Sequence, residues 1–208
     1  MDRAVIAVLL VALGYLVGSL PMGVLVARLS GGRDPRTVGS GRTGGTNALR
    51  AMGPWRALTV GLLDIAKGAV PVIVARLAGA DELMQALAGI AAVLGAWRSV
   101  FLGFHGGRGV ATAIGAMAVI APLVIPLAAP FFFGVIWLSK YVSLGSLIGT
   151  AAGGAILVLF VIAGWSHPIW LVYGIAAVAI VWIAHADNIH RLLNGQERKF
   201  VFGDREPK

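Results

Sequence analysis

The sequence predicts an all-α integral membrane protein of seven transmembrane helices, with the N-terminus outside and the C-terminus cytoplasmic. Three observations carry this. Of 208 residues, 58% are hydrophobic and only 12% charged, where a soluble domain carries about one-quarter charged residues and needs them to cover its surface. Apolar runs near the ~20 residues that cross a hydrocarbon core recur along the chain. The basic residues then fix the number and direction of the crossings.

The runs are read in order. Ala4–Leu29 exceeds a signal-peptide core and begins with only Arg3 set against Asp2, so it reads as a retained span. Trp55–Ala78, Leu83–Leu102, Val142–Gly164 and Pro168–Ala184 are further spans. Val110–Trp137 is long for one helix and carries Pro122, Pro126 and Pro130, with a break predicted at Pro122. Splitting it puts fourteen of the seventeen basic residues on one face, among them Arg28, Arg33, Arg36, Arg56, Arg98, Lys140 and the tail through Lys208. Left whole, it would send Lys140 and the basic tail outside, against the positive-inside rule. Arg3 and Arg76 remain outside, and Lys67 lies within a span. Trp55, Trp97, Trp137 and Trp182 fall near inner ends, and Trp165 and Trp170 flank the outer turn, as interfacial anchors do. Gly145, Gly149 and Gly153 recur every four residues, a small-residue face for close helix packing.

No linker or repeat divides the chain, so residues 1–208 read as one polytopic membrane domain. The absence of cysteine removes disulfides and thiolate chemistry. The net charge of +8 follows the topology, and no basic run is interleaved with aromatics, so no nucleic-acid partner is expected.

Four polar clusters fall on the inner face. The first is the glycine-dense loop Gly39-Ser40-Gly41-Arg42-Thr43-Gly44-Gly45-Thr46-Asn47, followed by Arg50. Glycines let amides approach an anion closely. The loop fits GxGxxG and approximates a P-loop, but a span precedes it rather than a strand, so neither nucleotide reading holds. A plain connector needs the glycines but not the crowd of Ser40, Thr46, Asn47 and Arg50. The second cluster, His105-Gly106-Gly107-Arg108-Gly109, sets a cation among glycines at a helix start. In the third, Tyr141 to Ser146, Ser143 is also a candidate cap. In the fourth, His185, Asn188 and Arg191 recur at i, i+3 and i+6, close to one helical face. Asp64 and Lys67, three apart inside a span, suggest an ion pair near the inner end, with Lys67 available to a bound phosphate. No HxxxxD pattern occurs, acids are scarce on the inner face, and no metal-ligand spacing is present, so no metal or cofactor is expected.

Taken together, these segments resemble the bacterial acyl-phosphate-dependent glycerol-3-phosphate acyltransferases, the PlsY family. The resemblance covers nearly the whole chain: GSGxxGxTNxxR (Gly39 to Arg50), LLDxxKG (Leu62 to Gly68), GFxGGxGVAT (Gly103 to Thr112), YVSLxS (Tyr141 to Ser146) and HxxNIxRLLxGxE (His185 to Glu197). Arg42 stands where the family usually has asparagine, His105 and Arg108 where it has lysines, and Ala96 where it has histidine. The resemblance implies seven spans in the bacterial cytoplasmic (inner) membrane with the site on the cytoplasmic side. It implies transfer of a fatty acyl group from acyl phosphate to the 1-hydroxyl of glycerol 3-phosphate, giving lysophosphatidic acid, with no coenzyme A or acyl carrier protein as direct donor. The candidate catalytic residues are Ser40, Arg50, Arg108, His185 and Asn188. The candidate substrate- and phosphate-binding residues are Gly39, Gly41, Arg42, Thr46, Asn47, Lys67, Gly106, Gly107, Ser143, Ser146, Arg191 and Glu197. Two proton acceptors remain open, the leaving phosphate and His185. The alternative function is a transporter or channel for a small phosphorylated metabolite, which predicts polar groups reaching both faces; the outer loops are nearly bare. A CDP-alcohol phosphotransferase is disfavoured by the shortage of acids.

Overall fold

The structure, a computed structural model, describes residues 3–200. Asp2, Asp204, Arg205, Glu206 and Lys208, which enter the charge pattern, lie outside them. The described residues are helical, with no strand: α1 Arg3–Ser19, α2 Met22–Leu29, α3 Gly45–Met52, α4 Pro54–Leu77, α5 Glu82–Trp97, α6 Val110–Ile120, α7 Val124–Ser139, α8 Val142–Ile162, α9 Trp170–Ala184 and α10 Ala186–Leu193. The sequence Pro54–Leu77, Glu82–Leu102 and Val142–Ile162 are each long and apolar enough to cross a membrane, and the bent pairs α1–α2 and α9–α10 each qualify when taken together. This is an integral membrane protein.

The first expected span is not one helix. Pro21 has no N–H and its ring clashes with the preceding turn, so the run breaks at Leu20–Pro21 and α2 leaves α1 at 48°. The Leu20 carbonyl at the break accepts from Lys67 Nζ at 3.1 Å. The break expected at Pro122 is present, and it separates α6 from α7. These two are short. Eleven residues of α6 rise about 16 Å and sixteen of α7 about 24 Å, against the ~30 Å of a hydrocarbon core.

What holds the helices together is close approach, because lipid is as apolar as leucine and burial alone does not drive association. A Cβ at Gly18 of α1 would overlap the Ala92 backbone of α5, one at Gly68 of α4 the Thr112 carbonyl of α6, and one at Gly115 of α6 the Ile65 carbonyl of α4. α7 is different: it lies along α8, where Gly145 and Gly149 face Ile136 and Phe132, but Val124 is its only buried residue. The core gathers where α4, α5, α6, α8 and α9 meet, around Val72, Val93, Ala116, Leu157, Tyr173 and Val181. Tyr173 keeps its hydroxyl satisfied by donating to the Ala113 carbonyl at 2.7 Å, which avoids the ~1–3 kcal/mol of a buried unpaired polar group.

Trp55, Trp137 and Trp165 are exposed as interfacial anchors should be, whereas Trp170 is 8% exposed. It opens α9 on the inward face, so it is a core residue and not an anchor. At this end of the molecule Arg76, in the last turn of α4, donates to Gln85 Oε1 of α5 at 3.1 Å and to the Val119 carbonyl of α6 at 3.0 Å. The far end of α6 is thereby held level with the far ends of α4 and α5.

Candidate functional site

At the opposite end the N-termini of α3, α6, α8 and α10 converge on one cavity of about 270 Å³. None of the four has a side-chain cap. Helix N-termini carry unsatisfied amides and a partial positive charge, so four aimed at one space favour an anion there. Side chains add to this. Arg42, Arg50, Lys67, Arg108, Arg191 and Arg198 line the cavity against only Asp64 and Glu197 as acids.

Glu197 organises much of the wall. Its carboxylate accepts from Ser143 Oγ at 3.0 Å, Asn188 Nδ2 at 2.7 Å and Arg191 Nε at 2.9 Å, joining α8, α10 and the tail. Arg42 ion-pairs with Asp187 at 3.3 Å. Arg108 is left over. It makes no hydrogen bond or ion pair among the described residues, and its Nε is buried without a partner. Burial first, then the charges of Arg42 and Arg191, draw its pKa down to about 10, which still leaves it cationic at neutral pH.

His185 is 2% exposed at the joint between α9 and α10. Its Nδ1 lies 2.8 Å from the Val181 carbonyl. A carbonyl only accepts, so Nδ1 carries the proton and Nε2 presents a lone pair. Burial chiefly, with help from the Arg108 and Arg42 charges, lowers its pKa to about 4. It is a neutral imidazole at physiological pH.

The structure brings most of the sequence candidates to this cavity: Ser40, Arg42, Thr46, Asn47, Arg50, Lys67, Gly107, Arg108, Ser143, Ser146, His185, Asn188, Arg191 and Glu197 all line it. Gly39, Gly41 and Gly106 do not. Gly39 adopts φ +56°, and a Cβ there would lie 2.6 Å from Asn47 Oδ1, so it makes room for the loop rather than for a ligand. The Gly41 amide donates to the Val38 carbonyl at 3.1 Å, and the Gly106 and Gly107 amides donate to the Trp97 and Ala96 carbonyls at 3.0 and 2.8 Å. The second glycine loop therefore spends its Gly106 and Gly107 N–H groups capping the end of α5, and it presents the Arg108 side chain to the cavity. Asn47 also proves internal: its amide nitrogen lies within 3.1 Å of the Val38 and Arg42 carbonyls and Ser40 Oγ, and its oxygen faces Arg50 Nη1 at 3.2 Å. It shapes the loop that presents Ser40, Arg42 and Arg50. Ser146 turns its hydroxyl back to the Val142 carbonyl at 2.9 Å.

The expected Asp64–Lys67 pair is formed at 2.9 Å. It lies near the middle of α4, however, not near the inner end, and both residues line the cavity floor. Sequence reading passed over Thr43, Thr112, Asp64 as a lining residue, and Arg198. Arg198 had a signal, being one residue from Glu197.

An apolar groove of about 290 Å³ between α6, α7, α8 and α9 adjoins the polar cavity, and Val110, Ile114 and Phe132 line both. A cationic pocket beside an apolar groove suits a ligand with a phosphate head and a hydrocarbon tail. A family model described as glycerol-3-phosphate acyltransferase matches residues 8–195. The chain belongs to the glycerol-3-phosphate acyltransferase family. Its relatives there include glycerol-3-phosphate acyltransferases of Anaeromyxobacter sp. strain Fw109-5, 43% identical over 96% of this chain and 98% of the relative, and of Geobacter sulfurreducens, 42% identical over 92% and 96%. The fold of this acyltransferase-family chain matches crystal structures of PlsY, described as an integral membrane glycerol 3-phosphate acyltransferase. The glycerol 3-phosphate form superposes with a TM-score of 0.84 at 36% identity over 94% of this chain and 96% of that one. The lysophosphatidic acid form superposes with a TM-score of 0.82 at 34% identity over 94% and 95%.

Proposed function

We propose that this protein transfers a fatty acyl group from acyl phosphate to the 1-hydroxyl of glycerol 3-phosphate, releasing lysophosphatidic acid and inorganic phosphate. It does so at the cytoplasmic side of the bacterial inner membrane, with seven crossings, the N-terminus out and the C-terminus in. The observation that carries the reading is Arg108, a half-buried cation with no protein partner, opening onto a cavity already rich in positive charge. A buried cation without a counter-ion is costly, and an anionic substrate supplies one. Relatives named for glycerol 3-phosphate, one of them a structure of the lysophosphatidic acid form, support the choice of anion. The apolar groove beside the cavity supports an acyl partner; a conduit for a polar metabolite would need polar groups where Met117, Val124 and Ile125 line the groove.

The chain's own residues then divide the work. Arg108, Arg42 and Arg50 hold phosphate oxygens, with arginine forks giving orientation as well as charge. The uncapped amides at the start of α3 add directional donors. The glycerol hydroxyl oxygen attacks the acyl carbonyl carbon, the bond from that carbon to the phosphate oxygen breaks, and the hydroxyl proton passes to the departing phosphate. Acyl phosphate is already activated, so positioning and charge stabilisation suffice. His185 Nε2 accepts a hydrogen bond from the 2-hydroxyl of the glycerol, which orients the attacking 1-hydroxyl while its proton passes to the phosphate. Ser40 and Asn188 complete the polar wall. No coenzyme A, acyl carrier protein, metal or other cofactor takes part.

The test is purified protein with palmitoyl phosphate and labelled glycerol 3-phosphate in the presence of a chelator, beside parallel reactions with palmitoyl-coenzyme A and palmitoyl-acyl carrier protein. Lysophosphatidic acid from acyl phosphate alone is expected. Product from a thioester donor and none from acyl phosphate overturns the donor assignment, and no product from any of them overturns the function.

A further inference from the structure

Glycine is the poorest helix former after proline, and at Gly18, Gly68 and Gly115 it is explained by backbones that touch. Gly153, seven residues beyond Ser146 on α8, is not explained that way. A Cβ built on it meets only Ala128 Cβ and Val124 Cγ1 of α7, each at 3.8 Å, an ordinary contact distance. Gly149, one turn earlier, is tight against Phe132 at 2.8 Å. The space left open by Gly153 belongs to the apolar groove, which Gly153, Ala128 and Val124 all line. Thr150 lines it too, and it turns its hydroxyl back to the Ser146 carbonyl at 2.7 Å, so that its methyl is what the groove receives. The wall is therefore apolar from Phe132 to Val124.

We infer that Gly153 sets the length of acyl chain the enzyme accepts, by keeping open the distal part of a groove that adjoins the phosphate cavity. This rests on the acyltransfer reading. The occupant is the donor's hydrocarbon tail, because the groove adjoins the cationic cavity, with Val110, Ile114 and Phe132 lining both. Gly153 lies about 10 Å along α8 from Ser146 at 1.5 Å per residue, so a short chain ends before it and a long one passes beneath it.

The experiment compares kcat/KM for palmitoyl phosphate and octanoyl phosphate in wild type, Gly153→Ala, Gly153→Leu and the facing variant Ala128→Leu, with Gly134→Leu as control, since a Cβ at Gly134 meets nothing within 4 Å. In Gly153→Leu and Ala128→Leu the palmitoyl-to-octanoyl ratio is expected to fall by about tenfold or more, the discrimination of a few methylenes in an apolar pocket, with octanoyl transfer retained. Gly153→Ala should fall between, and Gly134→Leu should match wild type. Retained octanoyl transfer is itself the proof of fold. An unchanged ratio, or equal loss with both donors from both faces of the groove, overturns the inference and leaves the groove to a bilayer lipid tail. Wild type inactive with both acyl phosphates would instead overturn the acyltransfer reading.

Discussion

The α1–α4–α5–α6 half of the molecule and the α7 side of it differ in how many neighbours each helix is stitched to. In the first, glycines let one helix touch the backbone of the next: Gly18 against Ala92, Gly68 against Thr112, Gly115 against Ile65. In the second, Gly145 and Gly149 hold α7 to α8 alone; α7 buries only Val124 and stands off α6 across a groove of about 290 Å³. The polar cavity sits on the seam between them. The stitched half fixes the positions of Arg108 and Lys67, and the looser half leaves space. Positional accuracy and room for a bulky tail are incompatible demands on one interface, and this fold assigns them to different helix pairs.

The contrast breaks most readily at the stitches. Gly115→Leu drives a side chain into the Ile65 carbonyl and should abolish the folded species on size exclusion, beyond the ~1–3 kcal/mol of ordinary overpacking, while Gly134→Leu on α7 should elute as wild type. A folded Gly115→Leu would show that the two halves do not differ in tolerance.

The ion pair on the cavity floor comes next. Asp64→Ala and Lys67→Ala each strand a charge in the low-dielectric interior, and breaking one side of such a pair costs about 3–5 kcal/mol. The double variant should recover part of that in thermal unfolding. Strictly additive losses would mean that Lys67 is held by Leu20 and the substrate, not by Asp64.

Arg108→Ala is expected to keep its fold, because the side chain has no protein partner to lose, and to lower kcat/KM by about tenfold or more, the worth of one charge-assisted contact of ~1.5–3 kcal/mol. A variant that unfolds, or one with normal kinetics, removes Arg108 from the anion site.

His185 sharpens the comparison at the seam. Its lowered pKa of about 4, against ~6.5 in the unfolded chain, means that the unfolded state binds a proton before the native state does. Stability should therefore fall as pH drops from about 6.5 towards about 4, and His185→Gln should flatten that slope. Turnover should show no limb near pH 6.5, and His185→Gln should retain measurable rate, if the proton passes to the phosphate as proposed. A loss of about 10²–10⁴ with intact substrate binding is the signature of a general base and would assign that role to His185. The smallest effect belongs to Thr150→Val, within about 0.5 kcal/mol in stability, because the hydroxyl serves only its own helix.

The all-helical, membrane-integral character was legible because apolar length is a property of the linear chain, and the break at Pro122 followed from proline chemistry. The break at Pro21 has the same chemistry but sits inside an unbroken apolar run, where length alone argues for one span. The site was legible through residue types, since arginine, serine and asparagine among glycines have few structural uses at a membrane. What each does was less so. The Gly106 and Gly107 amides look like anion donors until α5 supplies the Trp97 and Ala96 carbonyls they bond, and Asn47 looks like a ligand until the loop closes around it. Trp170 read as an anchor because a turn flanks it; only the rotation of α9 turns it inward.

The far end of α6 is pinned level with Arg76, and the helix is only about 16 Å long. Its length is little more than half of a ~30 Å apolar slab, and its first turn packs beside Lys67 and Gly68 of α4. An acyl anhydride is as vulnerable to water as it is reactive toward an alcohol. In the proposed transfer, an acyl carbonyl at that level lies beside the apolar groove, and the polar alcohol reaches it through the cationic cavity. The short α6 then serves that transfer as a guard against hydrolysis.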